Sequence, residues 1–127
     1  MSDKMVLIPG PSHPITVEHS PSRVVVKFGG VVVADTTEAV ILKQPSSPER
    51  FVIPRKDVKM ELLERSEKTS YCPYKGDVSY FNLKSGDASS ANAAFSFETP
   101  HAAVAELKER IGFYTEKVES IVEEKVG

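Results

Sequence analysis

The run Val24-Val25-Val26-Lys27-Phe28-Gly29-Gly30-Val31-Val32-Val33 constrains the fold of this chain more than any other stretch. β-Branched side chains lose rotamer freedom in a helix and pack well on a pleated surface, so two valine-rich runs favour strands. Between them, Gly29-Gly30 can take the positive φ values of a two-residue turn whose twist matches that of the flanking strands. The segment predicts an antiparallel β-hairpin over residues 23–35. A third strand is expected at residues 39–43, ended by Pro45, Ser46, Ser47 and Pro48, and a fourth at residues 50–53, ended by Pro54. These segments are too short and too closely spaced for the crossover helices of an α/β fold.

Asp57 is placed to cap a short helix in which Val58, Leu62 and Leu63 form an apolar stripe beside Lys59, Glu61, Glu64 and Arg65. Residues 69–72 are expected to be extended up to Pro73. Residues 77–83 alternate Val78, Tyr80 and Asn82 against Ser79, Phe81 and Leu83, with Ser85-Gly86 as a turn and residues 93–97 returning beside them. Thr99-Pro100 predicts a second helix, threonine as cap and proline at the first helical position, with Ala103, Val104 and Leu107 toward the core. A last strand is expected at residues 111–114. In residues 116–127 the spacing of Val118, Ile121, Val122 and Val126 suits a frayed helix as well as an edge strand. The expected class is mainly β (α+β), antiparallel strands with two short helices. Pro9, Pro11, Pro14 and Pro21 mark residues 1–22 as an N-terminal arm packed on a single β-rich domain at residues 23–127.

A chain of 127 residues is long enough for one core that buries about two-thirds of the unfolded surface. With 16 basic against 18 acidic side chains, the net charge of -2 supplies no global field for nucleic acid or an anionic membrane, and neither partner is expected. The apolar runs are too short to span a bilayer and the N-terminus has no signal-peptide h-region, which points to a cytoplasmic protein. One cysteine and three histidines lack zinc-binding spacing, so no metal and no cofactor are expected.

Chemistry concentrates in Thr69-Ser70-Tyr71-Cys72-Pro73-Tyr74-Lys75-Gly76, which holds the only cysteine, a lysine and two tyrosines, closed by glycine. Cys72 is a nucleophile if Lys75 stabilises its thiolate, and otherwise a small buried hydrophobe. Lys75 can hold a carboxylate or phosphate, with Gly76 admitting a ligand to backbone amides, or end a strand in solvent. Tyr71 and Tyr74 either flank a pocket or pack with wet hydroxyls. Asp35 is a strand-end carboxylate or the start of an Asx-turn. Arg55 with Asp57 reads an anion or forms a helix cap and surface ion pair, and His13 is a proton carrier or an ordinary loop histidine.

These residues also carry a resemblance. His13-Pro14-Ile15, Val33-Ala34-Asp35-Thr36, Ile53-Pro54-Arg55 with Asp57-Val58, Tyr71-Cys72-Pro73-Tyr74-Lys75-Gly76, Ala94-Phe95 and Phe113-Tyr114 together resemble the bacterial and fungal family called domain of unknown function 427. The resemblance implies a β-tent-like fold, two small antiparallel sheets leaning together. Some relatives within that fold bind zinc through cysteine pairs, which this chain lacks. The family is sometimes given a nucleotidyltransferase-type label, but no Gly-Ser pair with spaced aspartates is present. Phe95 stands where the family often has tryptophan.

Two functions from different classes remain. One is a small-ligand-binding domain in which Tyr71, Cys72, Tyr74, Lys75 and Arg55 read a compact anionic or planar ligand. The other is an enzyme using Cys72 or Lys75 with His13 or Asp35 as proton partner. A weaker third is a module that binds a protein along an open strand edge. The sequence leaves the oligomeric state open.

Overall fold

The computed structural model describes residues 5–45 and 47–125. Its valine-rich hairpin joins β2 (Ser22–Phe28) to β3 (Val31–Thr36), with Phe28 opposite Val31 and φ of 60° at Gly29 and 80° at Gly30. Both glycines occupy the left-handed region that this two-residue connection requires. Between Val26 and Lys27 the register shifts, a bulge that increases the local twist. On the other edge of β2 lies β10 (Ser120–Lys125), with Ile121 opposite Val26. Within the ambiguous tail, residues 120–125 are therefore an edge strand, preceded by a 3₁₀ turn at Thr115–Lys117. Pairing with β2 satisfies the backbone groups on that side, and Ile121 packs against the core.

The remaining strands form a seven-stranded antiparallel sheet in the order β1-β4-β5-β9-β8-β7-β6. These are β1 (Thr16–His19), β4 (Val40–Lys43), β5 (Arg50–Ile53), β6 (Leu63–Cys72), β7 (Gly76–Ser85), β8 (Ala88–Ser96) and β9 (Ile111–Phe113). The chain is mainly β, built from two antiparallel sheets of seven and three strands. Ser46 and Val126, named above as a strand end and a tail residue, lie outside the described residues.

Neither expected α-helix forms among the described residues. In the first region the chain makes 3₁₀ turns at Arg55–Asp57 and Met60–Leu62, and Leu63 already begins β6. Val58 bridges Ala34, and the Lys59 amide donates to the Val33 carbonyl at 2.7 Å, which holds the segment extended against β3. Asp57 accepts from the Thr36 hydroxyl at 2.7 Å instead of capping a helix. In the second region Ala102–Leu107 is 3₁₀ with a kink at Val104, and its cap position is His101, with no side-chain cap hydrogen bond, instead of Thr99. Val104 and Leu107 are both buried, and a spacing of three aligns side chains on a three-residue turn.

Alternation along the seven-stranded sheet sorts the core into two layers. Ile53, Phe81, Leu83, Ala94, Ile111 and Phe113 face the three-stranded sheet and meet Val24, Val26, Phe28 and Val33. Each fully buried valine there contributes roughly 1.5–3 kcal/mol relative to exposure. On the opposite face Val40, Leu42, Val52, Val78, Phe95 and Phe97 are covered by Val104 and Leu107 of the 3₁₀ segment. β4 and β6 are five strand steps apart, about 24 Å in a flat sheet. Yet Lys75, beyond β6, reaches Gln44, beyond β4, at 2.6 Å. The sheet is curled, and its concave face holds the second layer.

Candidate functional site

Within that concavity lies a solvent-connected cavity of about 280 Å³. Leu42, Val78, Phe95 and Phe97 make its apolar wall, while Arg50, Ser70, Cys72, Lys75, Tyr80 and Tyr114 bring polar groups to it. Its position follows from strand alternation: Val78 and Tyr80 on β7, and Ser70 and Cys72 on β6, point to the concave face.

Lys75 sits in the tight turn from β6 to β7, where its amide donates to the Cys72 carbonyl at 3.1 Å. Its carbonyl accepts from the His101 amide at 2.9 Å, tying the turn to the segment that precedes the 3₁₀ turns. Gly76 follows with φ of 109°, and a Cβ there would lie 3.0 Å from the Thr99 carbonyl oxygen. The expectation that Gly76 opens backbone amides to a ligand is corrected: its α-carbon faces the 99–101 strand bridge.

The Lys75 side chain is only 7% exposed. Nζ donates to Gln44 Oε1 at 2.6 Å and lies 5.6 Å from the centre of the Phe97 ring. No carboxylate among the described residues pairs with it. Burial pushes its pKa below the ordinary lysine value, and the neighbouring Cys72 opposes that shift. Arg50, opposite Leu42 in the β4–β5 pair, brings a permanent charge, its guanidinium 4.9 Å above the Tyr114 ring and 3.6 Å from Glu116. Ser70 and Tyr80 hydroxyls lie 2.9 Å apart. Burial and the adjacent Tyr80 push the Tyr114 phenol up to about 12, so it stays protonated at neutral pH.

Of the residues singled out in the sequence, the structure brings Cys72 and Lys75 together at this cavity. Tyr71, next to Cys72 on β6, points to the other face, where its hydroxyl contacts His101 Nε2 at 3.0 Å and the Met5 carbonyl. Tyr74 stacks on His13, ring centroids 4.0 Å apart and nearly parallel. Asp35 lies in the small sheet, held bidentate by Arg23 at 2.8 and 2.6 Å. Arg55 donates to Ser96, Glu98 and the Glu109 carbonyl. None of these five lines the cavity.

Arg50, Gln44, Tyr80 and Tyr114 were not singled out as site residues. Tyr80 carried a signal, since it shares the period-two face with Val78. Arg50 carried none, because nothing local says that β5 and β6 line one cavity across a curled sheet. Phe95, the position where tryptophan is common, forms part of the cavity wall. Among the described residues no group of three His, Cys, Asp or Glu side chains is arranged to hold a metal, and no helix is long and apolar enough to cross a membrane.

Residues 16–124 match the family described as Domain of unknown function (DUF427), and the chain belongs to that family. No curated protein matches the chain.

Proposed function

We propose that this member of the family is a small-ligand-binding domain, whose cavity beside the Cys-Pro-Tyr-Lys-Gly turn takes a compact anionic ligand with an apolar body. One observation carries the reading: Lys75 is buried without a carboxylate partner among the described residues, on a cavity that also presents Arg50. Burying an amine among aromatic rings is unfavourable unless something compensates, and sites that bind ligands are where such groups are kept. Arg50 supplies permanent charge for a carboxylate or phosphate. Lys75 and the Ser70, Tyr80 and Tyr114 hydroxyls supply orienting hydrogen bonds, while Phe95, Phe97, Leu42 and Val78 take the apolar body.

An enzymatic reading keeps Cys72 and Lys75 at one cavity, but the hydroxyl-bearing residues that share it include Ser70, Tyr80 and Tyr114, while His13 is stacked on Tyr74 and Asp35 is paired with Arg23. For the fold, two leaning antiparallel sheets support the tent-like description. For the domain division, the Leu7 amide donates to the Pro73 carbonyl at 2.9 Å, which supports packing of the proposed 1–22 arm on the domain, although Thr16–His19 and Ser22 within it already belong to the two sheets.

The test is a thermal-shift panel of small carboxylates and phosphates on the full chain. A ligand that binds only the native state at a hundredfold excess over its Kd stabilises by about 2.7 kcal/mol. At least one carboxylate or phosphate should raise Tm, and Lys75→Met and Arg50→Gln should each weaken that response. No shift with any compound, or shifts unchanged in both variants, would overturn the reading.

A further inference from the structure

We propose that the ligand class is an α-keto acid, and that Lys75 condenses reversibly with its carbonyl while Arg50 holds its carboxylate. This rests on the anion-binding reading of the cavity given above and specifies it.

The other charged clusters of the described residues are internally matched. Glu98 takes Arg65 at 2.7 and 2.8 Å and Arg55 at 3.2 Å, Asp35 takes Arg23, Glu38 takes Lys56, and Glu18 takes Lys43 at 2.8 Å. Lys75 differs from all of these cations. Its hydrogen-bond partner is a neutral amide oxygen, which can accept from an –NH₂ group as well as from an ammonium and brings no counter-charge. Enclosure by Phe97 and the rest of the apolar wall favours the neutral amine, which has a free lone pair. A desolvated lysine is the ordinary form of an imine-forming nucleophile.

The cavity supplies the other groups that the condensation uses. Arg50 lines the cavity with a planar guanidinium whose Nη1 lies 3.6 Å from the exposed Glu116, a loose pair that leaves further donors to suit a carboxylate. A carboxylate there places the adjacent keto carbon within the same cavity as Nζ. The Tyr114 phenol, protonated at neutral pH, and the Ser70–Tyr80 hydroxyl pair can donate hydrogen bonds to the keto oxygen within the same cavity. The apolar wall and a volume of about 280 Å³ fit a small aliphatic or aromatic side chain on the keto acid.

The step balances without an oxidant or reductant. The Nζ lone pair attacks the keto carbon, the C–N bond forms, and the carbonyl π electrons move to oxygen, which is protonated. Nζ loses a proton to give a neutral carbinolamine. Expulsion of the hydroxyl group, with the second Nζ proton, leaves the C=N bond. The two amine hydrogens and the keto oxygen depart as one water.

The experiment incubates the full chain at neutral pH with pyruvate or phenylpyruvate and cyanoborohydride, then measures intact mass and maps the modified peptide. The expected result is one adduct per chain at Lys75, its mass gain equal to the keto acid less one oxygen atom. It should be absent in Lys75→Arg and form about tenfold more slowly in Arg50→Gln, the equivalent of one lost charge-assisted hydrogen bond. Lactate and phenyllactate, which keep the carboxylate and lack the keto group, should raise Tm, form no adduct and compete with labelling. Binding of both acid types without an adduct at Lys75 would overturn the imine and leave the anion-binding reading standing. Adducts scattered over several lysines, or no response to either keto acid, would overturn the imine. Failure of the whole carboxylate and phosphate panel would overturn the anion reading as well.

Discussion

Gly112 of β9 lies against the face of the Phe95 ring on β8: a Cβ at Gly112 would come within 2.6 Å of both Phe95 Cε atoms and closer still to Cζ. The two residues are register partners. The ring thus occupies the space that any side chain at position 112 would need, and the same ring forms part of the cavity wall. Gly112→Ala should destabilise the fold by about 3 kcal/mol, at the upper end for overpacking a dense core. Phe95→Leu in the same chain should recover part of that loss, which denaturant titration of the single and double variants would measure. Purely additive effects would mean that the ring is not what excludes the methyl group.

The hairpin offers a contrast between neighbouring glycines. At Gly29, φ is 60° and a Cβ would lie 3.1 Å from the Cβ atoms of Ala88 and Ser85, whereas the space beside Gly30 is open. Gly30→Asn should therefore change stability by less than about 0.5 kcal/mol, because asparagine tolerates the left-handed region. Gly29→Val should cost on the order of 2 kcal/mol or more, combining positive φ with steric contact. Equal losses at the two positions would mean that turn conformation alone sets the penalty.

What could be seen in the sequence was what local chemistry decides. Val24 to Val33 specified a hairpin because its propensity, alternation and turn residues agree, and β4, β5, β7 and β9 each fell near their expected places. β6 was hidden. Its stretch Glu64-Arg65-Ser66-Glu67-Lys68 is polar on both faces, so hydrophobic periodicity cannot mark it, and its start was assigned to a helix. The helix after Thr99-Pro100 failed because tertiary contacts fixed the backbone: Val104 and Leu107 both had to reach the concave core. The Cys72-Lys75 half of the site was visible as a cluster of unusual residue types. The Arg50-Tyr114 half depends on sheet curvature, a long-range property that no short motif encodes.

Glu98 gives an acid-side prediction. Arg65 first, then the Ser79 hydroxyl and Arg55, hold its carboxyl down to about 2, against burial that opposes the shift. A carboxylate with a depressed folded pKa adds stability that is full above the unfolded value of 4.5 and is lost as pH falls toward the folded value of about 2. The side chain is 32% exposed, so solvent screening limits the effect. Glu98→Gln should lose about 1 kcal/mol at pH 7 relative to the native chain. That gap should narrow between pH 4.5 and 2 as the native carboxyl protonates. A gap that is constant with pH would assign the loss to packing.

Lys75 gives a slope of the same sign at alkaline pH, but through an unfavourable burial of charge. Burial lowers its folded pKa below the 10.5 of an unfolded chain, so between those two values the unfolded chain binds a proton that the folded chain does not. Stability attributable to this residue therefore rises with pH across that window, and the burial penalty is full below it. Lys75→Met removes both the amine and the slope while keeping an apolar stem beside Phe97. At pH 7 the variant should match or exceed the native chain by roughly 1 kcal/mol, since an amine without a counter-charge contributes an unfavourable burial term. The difference should shrink as pH approaches 10.5, as read by urea denaturation at several pH values on both proteins. Should Lys75→Met instead lose more than about 2 kcal/mol at pH 7, the amine would have to be holding a buried ion pair, and Lys75 would be a structural residue with no charge to offer a ligand.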